Sequence, residues 1–306
     1  MSGATPLVRV DHFGMDFGKK NVIRDLSFDI AAGETFGLLG SNGSGKTTTI
    51  RALLGIYLPT RGSLQINGRA FRPEIGIKLG YLPEERGLYK KESVIDVMVY
   101  FGKLKGLSRA SAYKWSMDYL EQVDLVDKEK ISVDKLSSGE QQKIQLGVTM
   151  MNNPELLILD EPTKGFDPVN RRLLLNLVDG QKKLGATVLM VTHQMEEVER
   201  LCDRIILLKD GVSRAYGTVE EVQDQFGKTV VHVEHEGRIP RSGSYTITQD
   251  GDRTSTLEAN GGIDLADILQ EIVGAGVRVS KFTPSRKSLD DIFVEIYGVD
   301  DLKEIG

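Results

Sequence analysis

The stretch Gly40-Ser41-Asn42-Gly43-Ser44-Gly45-Lys46-Thr47 follows directly on the short apolar run of residues 35–39. It matches the pattern G-x-x-x-x-G-K-[ST], which is typical of a phosphate-binding loop between a strand and a helix. The glycines let the backbone curl so that successive N–H groups point at phosphate oxygens, and the dipole of the following helix favours the negative charge. The pattern therefore predicts a nucleoside triphosphate site, and by itself it leaves kinase, GTPase and ATPase open.

Side chains of this loop have separate predicted roles. Lys46 is expected to reach the β- and γ-phosphates, and the hydroxyl of Thr47 is expected to bind Mg²⁺, a hard ion that prefers oxygen ligands. A glycine-rich turn without function is the alternative, which the full match between a strand and a helix disfavours. The residues predicted to contact nucleotide here are Gly40, Ser41, Asn42, Gly43, Ser44, Gly45, Lys46, Thr47 and Thr48.

Composition narrows the class of protein. The chain has 306 residues, 40% of them hydrophobic and 27% charged, which is typical of a folded protein of about two domains. A net charge of -5 provides no basic field, so nucleic acid is not an expected partner. The single Cys202 excludes an intramolecular disulfide, and no window approaches the ~18 consecutive apolar residues of a membrane span. We therefore predict a cytoplasmic chain that reaches a membrane only through a protein partner.

Apolar periodicity divides the chain into two predicted domains. Residues 7–30 alternate apolar and polar side chains, which favours antiparallel strands, whereas residues 93–127 repeat apolar side chains at helical spacing and predict a helical insert. Beyond the insert, buried strands alternate with helices, which favours a largely parallel sheet. We predict a first domain of residues 1–227, with a helical subdomain at about 92–151, and a small α+β domain of residues 228–306.

Three further motifs carry a family resemblance. Leu136-Ser137-Ser138-Gly139-Glu140-Gln141-Gln142 resembles the signature L-S-G-G-Q, the apolar run that ends in Asp160 and Glu161 resembles a Walker B strand, and His193 resembles a switch histidine. On these motifs and the phosphate loop, the chain from Leu7 to about Gly227 is similar to the ATP-binding subunits of ABC transporters. The resemblance implies a P-loop NTPase α/β fold with a RecA-like core, an antiparallel β subdomain and a helical subdomain.

The resemblance also implies a head-to-tail homodimer. Each ATP then lies between the phosphate loop of one subunit and the signature of the other, where the N-terminal dipole of the signature helix faces the γ-phosphate. Asp167 resembles the D-loop aspartate, which contacts the opposing subunit and reports its nucleotide state. The signature residues expected to contact ATP are Ser137, Ser138, Gly139 and Glu140.

The same resemblance assigns the hydrolytic residues, with Lys46 among them. Two acids that end a buried strand are costly unless a metal ion and water face them. Asp160 is expected to hold Mg²⁺ through its water shell, and Glu161 is expected to orient or deprotonate the attacking water as general base. His193 is expected to bridge that water and the γ-phosphate, although a lone histidine at a strand end is more often a structural one.

Two positions depart from the family pattern. Glu84 occupies the place where the Q-loop usually has glutamine, and its carboxylate is expected to bind Mg²⁺ in the same role. In the signature, Ser138 replaces the first glycine and Glu140 replaces the glutamine, and slower hydrolysis is the expected consequence.

Phe17 resembles the aromatic residue on which adenine stacks. Such stacking contributes about 1 kcal/mol and discriminates little between bases, so GTP is expected as a secondary substrate. A strand aromatic in the core is the alternative.

Two local stretches indicate the kind of ABC protein. Residues 81–89 and 288–297 resemble ATPase subunits of bacterial two-component exporters, including sodium- and drug-efflux types, in which the transmembrane permease is a separate chain. The permease is expected to dock near residues 84–99, which places this chain at the cytoplasmic face of the membrane. Two alternatives stay open: a soluble ABC ATPase that acts on ribosomes or DNA, and a regulatory module that binds nucleotide without turnover.

Overall fold

The computed structural model describes residues 5–72, 77–85, 87–226, 230–260 and 263–298. The chain divides into two compact units, of which the first reaches Tyr216 and the second begins at Gly217. The domain boundary expected at residues 227 and 228 falls outside the described ranges, so it stays a prediction.

A nine-stranded sheet forms the centre of the first unit, in the order β4-β1-β2-β9-β8-β3-β7-β6-β5. The strands β4 and β5 were not expected from the sequence, because each is short or half exposed and lacks a clear apolar alternation. The bounds of the strands are β1 (Val8–Phe17), β2 (Lys20–Ile30), β3 (Thr35–Leu39), β4 (Arg61–Ile66), β5 (Leu79–Leu82), β6 (Leu156–Asp160), β7 (Thr187–Val191), β8 (Arg204–Lys209) and β9 (Val212–Thr218).

The sheet has an antiparallel and a parallel part, as predicted. Strand β1 pairs antiparallel with β2 and β4, whereas β3, β7, β6 and β5 pair parallel with their neighbours. Every residue of β3, β6 and β7 is buried, as expected for parallel strands that are covered on both faces. The register sets Val191 beside both Leu38 and Asp160, so these strands end together at one edge of the sheet.

The helical subdomain expected at about 92–151 contains three α-helices among the described residues and has its own apolar core, and the first two of these helices form the predicted insert. Ser93 and Ser108 cap the first two helices through their hydroxyl oxygens, and Gly106 with a φ of 86° ends the first of them. The α-helices described in the first unit are α1 (Lys46–Leu53), α2 (Val94–Leu104), α3 (Arg109–Gln122), α4 (Ser138–Met150), α5 (Pro168–Lys183) and α6 (Met195–Leu201), and short 3-10 helices span Val126–Lys128 and Val133–Lys135.

The second unit is the small α+β domain predicted for the tail. Its four antiparallel strands have the order β11-β12-β10-β13, and alternate side chains such as Val231 and Val233 are buried against Ile268 and Ile272. A capping box lies at the start of this unit, because Thr218 and Glu221 each accept a hydrogen bond from the other's backbone N–H. The elements are α7 (Val219–Phe226), β10 (Val230–Glu236), β11 (Tyr245–Asp250), β12 (Thr254–Ala259), α8 (Leu265–Gly274), β13 (Arg278–Ser285) and α9 (Leu289–Tyr297).

Within the described part of the chain, no helix is both long and apolar enough to cross a membrane.

The packing of α4 on α3 generates a test of the helical subdomain. A Cβ added at Gly147 would lie 2.4 Å from Cε1 of Tyr119, so we expect Gly147→Ala to lower the free energy of unfolding by about 1–3 kcal/mol. Gly180→Ala on α5 is the control, because nothing lies within 4 Å of its added Cβ. This substitution should raise the free energy of unfolding by up to about 1 kcal/mol. Chemical denaturation of both variants measures the difference, and equal stabilities would contradict this packing.

Candidate nucleotide site

A cavity of about 680 Å³ opens at the edge where the parallel strands end. Ligands of open α/β sheets bind outside the carboxyl ends of the strands, so the position is the one that the topology favours. Eleven of the predicted site residues line the cavity, namely Phe17, Asn42, Gly43, Gly45, Lys46, Thr47, Thr48, Glu84, Asp160, Glu161 and His193. Further lining residues that the sequence did not indicate are Lys20, Val22, Thr163, Lys164, Gly165, Arg171 and Gln194.

The phosphate loop has the backbone that its glycines predict. Gly43 and Gly45 have φ values of 77° and 111°, in the left-handed region that favours glycine. A Cβ at Gly45 would also lie 2.2 Å from Cδ1 of Ile23, and one at Gly40 would lie 2.5 Å from the carbonyl oxygen of Leu208. The loop is therefore drawn tightly against β2 and β8 before α1 begins at Lys46.

Lys46 lies over the start of its own loop. Its ammonium donates hydrogen bonds of 2.7 Å to the carbonyl oxygen of Gly40 and of 2.9 Å to that of Ser41. Burial lowers the pKa of Lys46, and the negative charges of Glu161, Asp160 and Glu84 oppose that shift. The buried hydroxyl of Ser44 has no hydrogen-bond partner among the described residues, so the loop has donor capacity that its own contacts do not use.

The two acids at the end of β6 differ in their surroundings. Asp160 is the last residue of the strand and only 2% exposed. Burial, together with the charges of Glu161 and Glu84, raises the pKa of Asp160 from 3.8 to about 6. Glu161 has a φ of 49°, unusual for a residue with a Cβ, and its N–H donates to the carbonyl of Val191 at the end of β7. That bond fixes the direction in which the Glu161 side chain leaves the sheet.

His193 is held directly against Glu161. Its Nδ1 lies 2.9 Å from Oε1 of Glu161, and because a carboxylate only accepts, Nδ1 carries the proton. The other ring nitrogen, Nε2, lies 3.1 Å from the side-chain amide of Gln194. A cavity-lining histidine held by a carboxylate on one ring nitrogen and by an amide on the other can act in proton transfer or anion binding.

Phe17 and Glu84 lie at the rim of the cavity. Phe17 is 44% exposed and packs edge-on against Tyr57, with ring centroids 5.2 Å apart, so it is not the buried core aromatic that was the alternative. Glu84 follows β5, and its Oε1 accepts a hydrogen bond of 2.7 Å from Nζ of Lys164. The sequence gives no signal for this pair, because its members are 80 residues apart.

The signature residues lie apart from these groups. Ser137 caps α4, and none of residues 137–140 is among the described residues that line the cavity. Ser137 and Glu140 form a capping box, and Glu140 also pairs with Lys128, an interaction that lowers the pKa of its carboxyl. The charge that Glu140 introduces is therefore engaged by its own subdomain.

Asp167 caps α5 rather than facing the cavity. Its Oδ1 accepts hydrogen bonds of 2.9 Å from the N–H groups of Val169 and Asn170. Its expected role in contact with a second subunit stays a prediction.

The oxygen groups in the cavity do not form a self-sufficient metal centre. Within the described ranges, no three or more His, Cys, Asp or Glu side chains are grouped so as to hold a metal ion. Mg²⁺ commonly binds to one or two carboxylates plus substrate phosphates, and Thr47, Glu84 and Asp160 supply oxygens of that kind.

Comparisons with known proteins cover both units. The family model described as "ABC transporter" matches residues 23–164, and the one described as "ATP-binding protein DrrA1-3-like, C-terminal domain" matches residues 217–297.

Individual relatives match over most of the chain. The "Uncharacterized ABC transporter ATP-binding protein YhaQ" of Bacillus subtilis is 40% identical over 300 residues, which are 95% of this chain and 99% of that protein. The "Nod factor export ATP-binding protein I" of Ralstonia nicotianae is 36% identical over 237 residues, 76% of this chain and 73% of that one. A solved structure described as "Structure of ATP binding subunit of ABC transporter" superposes with a TM-score of 0.66 at 31% identity, over 72% of this chain and 93% of that one.

The raised pKa of Asp160 predicts a pH-dependent cost of folding. Because the folded-state value of about 6 exceeds 3.8, the favourable contribution of this group is complete below pH ~4 and is lost as the pH rises through about 6. Without nucleotide or metal, Asp160→Asn should therefore raise the free energy of unfolding at pH 7.5 by up to about 3 kcal/mol and leave it unchanged below pH ~4.

Denaturation at pH 4 to 8 measures this effect. Asp179→Asn is the control, because Asp179 pairs with Lys183 on an exposed helix face. Loss of the Asp179 carboxylate should not raise the free energy of unfolding at any pH. If Asp160→Asn raised the free energy of unfolding by the same amount at every pH, desolvation of the ionised carboxylate would be contradicted as the cause.

Proposed function

This chain belongs to the ABC transporter family as an ATP-binding protein, and on that premise we propose that it hydrolyses ATP to drive export through a separate permease. One observation carries the proposal of hydrolysis: Glu161 and His193 are joined at 2.9 Å in the same cavity as Lys46. A carboxylate positioned by a histidine beside a phosphate loop is an arrangement that can activate water.

ATP binding is assigned to the loop and to Phe17. The N–H groups at the start of α1 and the Lys46 ammonium would hold the phosphates, and Lys46 would exchange the carbonyls of Gly40 and Ser41 for phosphate oxygens. Phe17 has an exposed ring at the cavity rim on which adenine can stack.

Mg²⁺ is assigned to Thr47, Glu84 and Asp160. Their oxygens are hard ligands, and the burial that raises the pKa of Asp160 makes a nearby divalent cation favourable there. When bound, Mg²⁺ supplies charge neutralisation at the β- and γ-phosphates.

Hydrolysis is assigned to Glu161, with His193 as its partner. The Glu161 carboxylate would accept a proton from the attacking water, while Lys46 stabilises the negative charge that develops on the transferred phosphoryl group. Glu161 keeps the Nδ1 proton of His193 in place, which leaves Nε2 as the ring atom for the γ-phosphate. A phosphate oxygen accepts from Nε2 only if that nitrogen also carries a proton, so the bridging role requires the imidazolium.

A second copy of the chain completes the site in this proposal. Ser137 Oγ accepts from the N–H of Glu140, so its own hydroxyl proton is available to a phosphate oxygen of a neighbouring subunit. The N-terminus of α4 adds a favourable dipole at the same place. Residues 137–140 are not among the described residues that line the cavity of their own chain, and head-to-tail pairing of two copies would bring them to the nucleotide.

Blocking proton acceptance should trap this dimer. We expect Glu161→Gln to lower kcat by about 10²- to 10⁴-fold and to elute as a dimer in size-exclusion chromatography with ATP and Mg²⁺, because ATP then stays at the interface. Adding Lys46→Ala in the same background is the control and should restore the monomer. A Glu161→Gln chain that binds ATP and stays monomeric would contradict the shared site.

Permease docking is assigned to an aromatic cavity of about 460 Å³ on the helical subdomain. It is lined by Tyr89, Glu92, Asp96, Val97 and Tyr100. The rings of Tyr89 and Tyr100 contact edge-on at 5.5 Å, and they are 53% and 46% exposed. Exposed aromatic rings beside two acids favour an apolar side chain flanked by basic residues, as on a cytoplasmic helix of a membrane protein.

Export rather than import is proposed by similarity, since the relative from Ralstonia nicotianae is named for Nod factor export. The chain would then act at the cytoplasmic face of the membrane, held there by its permease. The transported substrate would contact the permease and not this chain.

Loss of the two tyrosines should uncouple the chain from its permease. We expect Tyr89→Ala with Tyr100→Ala to reduce co-purification of a multispan protein from detergent-solubilised membranes by about tenfold, with nucleotide affinity unchanged. Tyr113→Ala is the matched control, because Tyr113 is 48% exposed on α3 of the same subdomain but lies outside this cavity. Equal recovery of the multispan protein with the wild-type chain, the double variant and Tyr113→Ala would contradict docking at this cavity.

A further inference from the structure

Glu84 is paired with a lysine at the rim of the nucleotide cavity. Oε1 of Glu84 lies 2.7 Å from Nζ of Lys164, with the Glu84 side chain 44% and the Lys164 side chain 62% exposed. Lys164 comes three residues after Glu161, in the turn that leads from β6 to α5. The pair therefore joins the segment after β5 to the segment that carries the general base.

The charged groups around the Glu84–Lys164 pair indicate its role. Three carboxylates line the cavity, those of Glu84, Asp160 and Glu161, and they repel one another. Lys46 donates to two loop carbonyls, and Arg171 lies 3.4 Å from Glu197 rather than against these acids. The hydrogen bond and the charge of Glu84, followed by the charges of Glu161 and Asp160, raise the pKa of the Lys164 ammonium.

We propose that Lys164 is a positioning residue that holds Glu84 at the rim as a temporary counter-ion, and that Mg²⁺ replaces Lys164 when nucleotide binds. This inference rests on the proposed nucleotide function. An exposed ion pair contributes little net stability, and the lysine ammonium is a compact charge on a flexible stem, so the exchange is not obstructed. Mg²⁺ prefers carboxylate oxygens, which makes Glu84 a better ligand for it than a glutamine amide.

The exchange predicts a specific effect on metal dependence. Without Mg²⁺, Lys164 screens Glu84 from the incoming phosphates, whereas with Mg²⁺ the metal does so. Removal of the Lys164 charge should therefore weaken binding of metal-free nucleotide and leave binding of the magnesium complex nearly unchanged. The quantity that reports this is the ratio of Kd in EDTA to Kd in Mg²⁺.

A double-mutant cycle measures the ratio. Titration calorimetry of the full chain with adenylyl imidodiphosphate, a non-hydrolysable ATP analogue, gives Kd in EDTA and in Mg²⁺. We expect Lys164→Met to raise the ratio about fivefold when Glu84 is present and less than twofold in the Glu84→Gln background. Lys164→Arg keeps the charge and should keep the wild-type ratio.

A matched control removes an equally short ion pair elsewhere. Nζ of Lys183 lies 2.7 Å from Asp179 on the exposed face of α5, so Lys183→Met should leave the ratio unchanged. Melting temperatures confirm that each variant is folded, and Lys164→Gln replaces Lys164→Met if the latter does not fold.

The outcomes separate this inference from the proposed function. If the wild-type chain binds the analogue in neither buffer, the nucleotide function itself is wrong. If the wild-type chain binds and Lys164→Met keeps its ratio, or changes it equally with Glu84 and with Gln at position 84, then Lys164 does not act through Glu84 and the inference is overturned.

Discussion

Parallel pairing of four strands, three of them buried throughout, is the constraint on which the rest of this structure depends. Because β3, β7, β6 and β5 run in the same direction and in a fixed register, the segments that follow them emerge at one edge. Each segment contributes one part of the site: the phosphate loop, His193, the acids at positions 160 and 161, and Glu84. A shift of register in any one strand would separate groups that hydrogen bond directly, such as Glu161 and His193.

Clustered carboxylates are the electrostatic consequence of that constraint. They are brought together by strand pairing and not by mutual attraction, so the fold must compensate for them individually. Asp160 is desolvated and holds its proton more tightly, Glu161 is bonded to a histidine, and Glu84 has a lysine. These three arrangements leave a cavity in which, under the proposed function, a divalent cation would relieve the remaining repulsion.

The helical subdomain is built by different physics. Its three helices have a separate apolar core, and its signature begins as an N-capped helix whose Glu140 is held by Ser137 and Lys128. The capping box rigidifies the helix start while the hydroxyl proton of Ser137 stays available. A subdomain with its own core can present this helix end to a second molecule as a unit, which the proposed sharing of the site between two copies would use.

The amino-acid sequence by itself determined the local features of this protein, and the tertiary structure decided the contacts between distant segments. The phosphate loop, the strand that ends in two acids, the helices of the insert and the α+β tail follow from short-range patterns, since apolar periodicity and glycine spacing act over a few residues. The exposure of Phe17, the edge strands β4 and β5, and the pairing of Glu84 with Lys164 did not follow. The positions of these strands and the exposure of Phe17 depend on how the strands are ordered across the sheet. The attraction between Glu84 and Lys164 has no signature in the linear sequence, because the two residues are 80 positions apart and only the folded backbone brings them together.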